Sequence, residues 1–167
     1  MVLSTSQSNQ IERWLSEDRV SGDFELLYRG SRDGWKGEDC HAKCDKKGAT
    51  ITVICSSDGL IFGGFSYKPW TSSGRYCESD KSFLFSLKSP SSEVGLTKIR
   101  IKQNKCSFAL VHRYSYGPTF GGGLDLCIKI GFNTNIKSWS CLGVTYEIPP
   151  GQTNTFLVGT KKQSVRD

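Results

Sequence analysis

The stretch ATITVICSSDGLIFGGFSY, Ala49–Tyr67, decides the fold class. ATITVICS, Ala49–Ser56, is rich in β-branched residues that alternate with polar ones, the pattern of a half-buried strand. LIFGGFSY, Leu60–Tyr67, reads as a second strand, and Ser57-Asp58-Gly59 between them is a turn signal. Downstream the same texture repeats. SFLFSLK (Ser82–Lys88), TKIRIKQ (Thr97–Gln103) and SFALVHR (Ser107–Arg113) read as strands, as do LDLCIKIGF (Leu124–Phe132), GVTYEI (Gly143–Ile148) and TFLVGT (Thr155–Thr160). The polar link Lys68–Lys81 reads as a surface loop.

Upstream the period changes. Ile11, Trp14 and Leu15 are spaced i, i+3, i+4, one apolar helix face, and Phe24, Leu27 and Tyr28 repeat that spacing. Ser21 and Asp23 are placed to start that second helix, and Gly30 and Gly34 to end it. Lys36–Lys47 reads as a third helix. Residues 1–10 are polar and Ser-rich and read as a disordered lead-in. The expected architecture is one α+β domain over residues 11–167: two antiparallel sheets packed as a sandwich, with short flanking helices mainly at the N-terminal end.

A chain of 167 residues can close a core without staples. No apolar run reaches the roughly 20 residues of a membrane span, so no membrane insertion is expected. The N-terminus lacks a basic region followed by an apolar one, so it does not read as a secretory signal. With seven cysteines, an odd count, this points to reduced thiols in a cytoplasmic protein, and a monomer is expected. The net charge of +6 is uneven: residues 1–97 hold 12 Lys/Arg against 13 Asp/Glu, and residues 98–167 hold 10 against 3. A basic second half can be a docking face or simply a solvated one. No nucleic-acid-binding signature accompanies it, so no nucleic acid is expected.

Three stretches invite a chemical reading. Cys40, His41 and Cys44 resemble a metal knuckle, but zinc needs about four ligands, and His112 is the only other histidine. On a helix Cys40 and Cys44 share a face while His41 points elsewhere. A redox dithiol favours Cys-x2-Cys, and this is Cys-x3-Cys. Two thiols acting as small hydrophobes is the preferred reading. The triplet Gly121-Gly122-Gly123 lacks the Gly-Lys-Ser/Thr and helix of a phosphate loop, and it reads as a bulge before a strand. Gly63-Gly64 marks close packing, with Trp70 as an anchor. No nucleophile–base–orienter set stands out, so neither an enzyme nor a cofactor or metal is expected.

Taken in order, these pieces resemble one family. FELLYRGSRDGW (Phe24–Trp35), CHAKCDKKGATITVI (Cys40–Ile54), GLIFGGFSYKPW (Gly59–Trp70), SFLFSL (Ser82–Leu87), YGPTFGGGLDL (Tyr116–Leu126), LGVTYEIP (Leu142–Pro149) and TFLVG (Thr155–Gly159) are similar to the TLDc domain. The first motif carries Arg29, Ser31, Arg32, Asp33 and Gly34. The second carries His41, Cys44, Asp45 and Gly48, with Cys40 where the family usually has Phe, which implies a packing position. The third carries Phe62, Gly63, Gly64 and Trp70. The glycine-rich motif carries Gly117, Pro118, Phe120, Gly121, Gly122, Gly123 and Asp125, and the late one Tyr146 and Glu147. Leu124 stands where many members have His. The family usually adds a last strand after TFLVGT. This chain ends at SVRD, which predicts a domain cut short and an open sheet edge.

The resemblance implies a two-sheet sandwich without catalytic residues or cofactor. It implies a protein-interaction domain that binds the peripheral, ATP-hydrolysing sector of the vacuolar-type proton ATPase, regulates that pump and supports oxidative-stress resistance. One alternative is a thiol-based antioxidant using Cys44 or Cys141, both near lysines. Another is a scaffold domain of a larger protein.

Overall fold

A computed structural model describes residues 3–89, 95–129 and 139–159, and the backbone of 165–166. Its helices are α1 (Thr5–Glu17), α2 (Gly30–Asp33) and α3 (Gly37–Cys44), with a 3-10 turn at Cys106–Phe108. The strands are β1 (Thr50–Ser56), β2 (Ile61–Ser66), β3 (Tyr76–Cys77), β4 (Phe83–Lys88) and β5 (Thr97–Ile99). They continue with β6 (Leu110–Val111), β7 (Thr119–Phe120), β8 (Leu126–Cys127), β9 (Trp139–Ser140) and β10 (Val165–Arg166). They form two antiparallel sheets, ordered β10-β1-β2-β4-β5 and β3-β6-β7-β8-β9. This is the α+β sandwich expected.

Alternation along the strands builds two cores. Leu84 of β4 points with Ile54, Phe62 and Ile99 toward Leu110, Phe120 and Leu126 of the second sheet. Phe83, Phe85 and Leu87, one residue out of phase, face the other way with Phe65 and meet Ile11, Trp14 and Leu15 of α1. The molecule is thus layered as helix, sheet, sheet. Gly64 permits the inner contact: a Cβ there would lie 2.6 Å from the Phe120 ring.

The hairpin Ala49–Tyr67 folds as read, with Val53 opposite Gly63 and Ile54 opposite Phe62. The N-terminal expectations need correcting. Residues 5–10 are helical, because Ser4 caps α1: its hydroxyl accepts from the Gln7 amide at 3.3 Å, and the Gln7 side chain accepts from the Ser4 amide at 2.9 Å. Lys98 on β5 fixes the other end of α1, donating to the Trp14 carbonyl and pairing with Asp18, both at 2.8 Å. The helix expected around Phe24–Tyr28 is absent. Phe24 and Leu26 are 60% and 58% exposed, and the short α2 begins only at Gly30. A five-residue apolar spacing does not overcome the cost of helix nucleation.

Two expected strands are also not formed. Residues 143–146 turn their amides toward a carboxylate rather than a neighbouring strand, leaving a single bridge, Ile101 to Tyr146. Phe156, Leu157 and Val158 are buried, but they sit in turns. Conversely, β3 lies inside the presumed loop Lys68–Lys81. The strand read over Leu124–Phe132 is reduced to β8, and its end from 130 onward lies outside the described residues, as do Lys137 and Thr160. Val165–Arg166 pairs with Ser56 and Cys55, so β1 has a neighbour there where an open edge was expected.

Candidate functional site

The motif residues gather into three clusters, each built from a different element. The first surrounds His41. The start of α3 lies on the backbone of Tyr116, since a Cβ on Gly37 would meet that carbonyl at 2.6 Å. This seats the buried face Gly37, Cys40, His41 against the second sheet. His41 Nδ1 lies 2.7 Å from Asp45 Oδ1, and Nε2 lies 2.9 Å from the Tyr116 carbonyl and 3.1 Å from that of Arg113. His41 is therefore directed inward. Ser72 donates to the other Asp45 oxygen at 2.5 Å, and the Lys46 amide donates to the Trp70 carbonyl. Trp70 is buried, gives its indole N–H to Thr50 at 2.9 Å and stands edge-on to Phe120 at 5.6 Å. His112 lies 5.3 Å from the Trp70 ring, with Nδ1 2.6 Å from Thr71 Oγ1. Burial pushes His112 below its ordinary value, and Asp45 pulls against that shift.

The second cluster is centred on Asp125. Its buried carboxylate accepts the backbone amides of Gly143, Val144, Thr145 and Tyr146 at 3.0–3.2 Å. Burial raises this carboxyl, and the four amides pull it back down. Gly121, at φ +86°, is required beside it, because a Cβ would collide with the carboxylate. The Gly122 amide donates to Thr145 Oγ1 at 2.8 Å, and buried Tyr146 donates to the Ala109 carbonyl at 2.9 Å. The Glu147 amide bonds the Arg100 carbonyl, while its side chain is exposed. Gly117 and Thr119 brace the entry to this loop through the Ile128 carbonyl and the Gly117 carbonyl. Over the loop lies an exposed ridge. The Tyr76 and Phe108 rings meet edge-on at 5.2 Å, Phe108 covers Gly122, and Val144 covers Gly123. Tyr76 and Phe108 are 50% and 43% exposed. Sequence reading missed this ridge because its members come from three separate segments.

The third cluster is the first motif and the thiols. Asp33 accepts the Arg29 amide at 2.8 Å and two bonds from Arg32, which lower its carboxyl to about 2. Ser31 is exposed in the turn between them, and Gly34 ends α2 while its carbonyl accepts the Tyr28 hydroxyl. Gly48 lies in an open left-handed turn. Cys40 and Cys44 lie one turn apart on α3, and their interaction pushes the Cys40 thiol up, with burial adding to it, and the Cys44 thiol down. Both line a groove of about 600 Å³ that Pro118 also borders. Cys141 sits apart, partly buried, with the Asn154 amide 3.4 Å from its sulfur. Cys40 is buried, and Cys44 packs partly buried against the core, the placement of small hydrophobic side chains. No group of three or more potential metal ligands occurs among the described residues.

Across the chain, motif after motif lands on a side chain that positions another. The TLDc domain family model matches residues 1–167. The chain belongs to the TLDc domain family. No curated protein matches it. In this TLDc domain the His41 and Asp125 clusters pin α3 and the 143–146 loop to the second sheet. Among the described residues no helix is long and apolar enough to cross a membrane.

Proposed function

We propose that this TLDc domain is a cytoplasmic protein-interaction module that binds the peripheral, ATP-hydrolysing sector of the vacuolar-type proton ATPase and regulates it, in support of oxidative-stress resistance. The observation that carries this reading is the family match over the whole chain. The geometry adds a reason to look at the surface. The chemically capable motif side chains, His41 and Asp125, are buried and their polar atoms are engaged inside the fold. What the glycine triplet presents outward is the Tyr76–Phe108–Val144 ridge, and exposed apolar patches of this kind favour protein contact. Lys102 and Lys105 lie in the adjoining segment and contribute to the basic second half.

The test is ATP hydrolysis by the purified pump during titration with this domain, with release of the sector followed in the same samples. A saturable change near one domain per pump is expected, and Phe108→Asp with Val144→Asp should abolish it. A flat titration, or full activity of the ridge variant, overturns the respective part of the reading.

A further inference from the structure

The structure assigns a second, chemical role to α3: we propose that Cys40 and Cys44 form a reversible disulfide when an organic hydroperoxide enters the groove they line. The inference does not depend on the pump. Three observations converge on it. Cys40 and Cys44 stand one turn apart on α3 and line the same groove. Cys40 is buried at 3% exposure, whereas Cys44 is partly exposed, so one thiol can meet an oxidant and the other is shielded behind it. The groove walls include Leu26, Trp35, Ile51, Pro118 and Ile128, an apolar surround that favours an organic hydroperoxide over a polar one.

The assignment of roles follows from exposure. Cys44, the accessible thiol, attacks as its thiolate, and the proton it gives up ends on the departing alkoxide, while the buried Cys40 keeps its proton. The Cys44 sulfur takes the terminal oxygen of ROOH, the O–O bond breaks and ROH leaves. The sulfur is oxidised by two electrons to a sulfenic acid and the peroxide is reduced. Cys40 then attacks the Cys44 sulfur, the S–O bond breaks, and hydroxide leaves with the Cys40 proton as water. Two thiols and one ROOH thus become one disulfide, ROH and water. A thiol reductant reverses the bond.

The last turn of α3 has to yield for this bond. Side chains four apart on a helix have Cβ atoms about 5–6 Å apart, and a disulfide needs about 3.5–4.5 Å. Cys44 is the final residue of α3, and Asp45 is already extended at φ −64°, ψ 136°, so only that turn must adjust. The same turn carries the His41–Asp45 bond. Oxidation therefore loosens the tie between α3 and the second sheet.

Trypsin cuts after Lys43, between the two cysteines, so the disulfide is read directly. After cumene hydroperoxide, a non-reduced digest of the native chain should hold peptides 37–43 and 44–46 together, and dithiothreitol should part them. Hydrogen peroxide at equal concentration should link them more slowly. Cys40→Ala should abolish the link and leave Cys44 trapped by dimedone, and Cys141→Ser should leave it intact. The same digest after oxidation in urea should lose the selective pair. Absence of the linked pair while other cysteines oxidise overturns the proposal, as does equal linkage in urea. Faster linkage by hydrogen peroxide overturns the ligand class.

Discussion

Asp45 grips His41 from within its own helix end, at 2.7 Å, while the backbone of the second sheet grips the other side of the ring. Nε2 faces the carbonyls of Arg113 and Tyr116, and Nδ1 faces the Asp45 carboxylate. His41→Phe keeps the ring volume and loses all three contacts. We expect a loss of about 2–3 kcal/mol, below the range for a fully buried pair because Asp45 is 21% exposed. Combining it with Asp45→Asn should show a coupling of about 1–3 kcal/mol in urea melts. Strict additivity would mean that the two residues act separately.

Asp125 is a different kind of anchor, one carboxylate holding four consecutive residues. Asp125→Ala strands the amides of Val144, Thr145 and Tyr146, while Gly143 keeps the Tyr146 carbonyl, and each buried, unsatisfied group costs about 1–3 kcal/mol. Water can reach Val144, which is exposed, so a total loss of about 3 kcal/mol is expected. Asp125→Asn retains one acceptor oxygen and should lose less. Equal losses in the two variants would show that the carboxylate is not what organises the loop.

The same carboxylate explains which parts of the fold were legible. GVTYEI alternates like a strand, yet its amides are diverted to Asp125, a partner 18 to 21 residues away that periodicity does not register. The Ala49–Tyr67 hairpin was readable because its pairing is local and its turn is written in Ser57-Asp58-Gly59. The two-residue strands β3, β7 and β9 are too short to carry a period at all. Residues Phe24–Tyr28 carried a helical period without the length to nucleate. The His41 cluster was legible only as a motif, because the groups that satisfy it come from residues 70–72 and 113–116.

Leu124 follows the glycine triplet at φ +58°, its amide bonded to the Gly121 carbonyl. A branched aliphatic side chain is disfavoured there by about 1–2 kcal/mol, whereas Asn and His adopt this region several-fold more often. The histidine common at this place in the family fits the backbone better. Leu124→Asn should therefore stabilise the domain by about 0.5–1 kcal/mol, seen as a higher urea midpoint at unchanged slope. A lower midpoint would show that Leu124 contributes packing that outweighs its backbone conformation.

His112 supplies a pH dependence whose sign can be worked out. It is held below its ordinary value of 6.5, first by burial and then by His41, with Asp45 opposing. Thr71 engages Nδ1, and Nε2 is buried without a partner among the described residues, which suits a neutral ring. As pH falls through 6.5, the unfolded chain takes up a proton that the folded chain resists. Stability is therefore complete above that pH and declines below it, by no more than about 1.4 kcal/mol per pH unit from this residue. His112→Phe removes the titration while retaining an aromatic ring beside Trp70. Urea melts at pH 5, 6 and 7 should show a shallower decline for the variant than for the parent chain. Parallel declines would mean that the acid sensitivity lies elsewhere and that His112 titrates alike in the folded and unfolded chain.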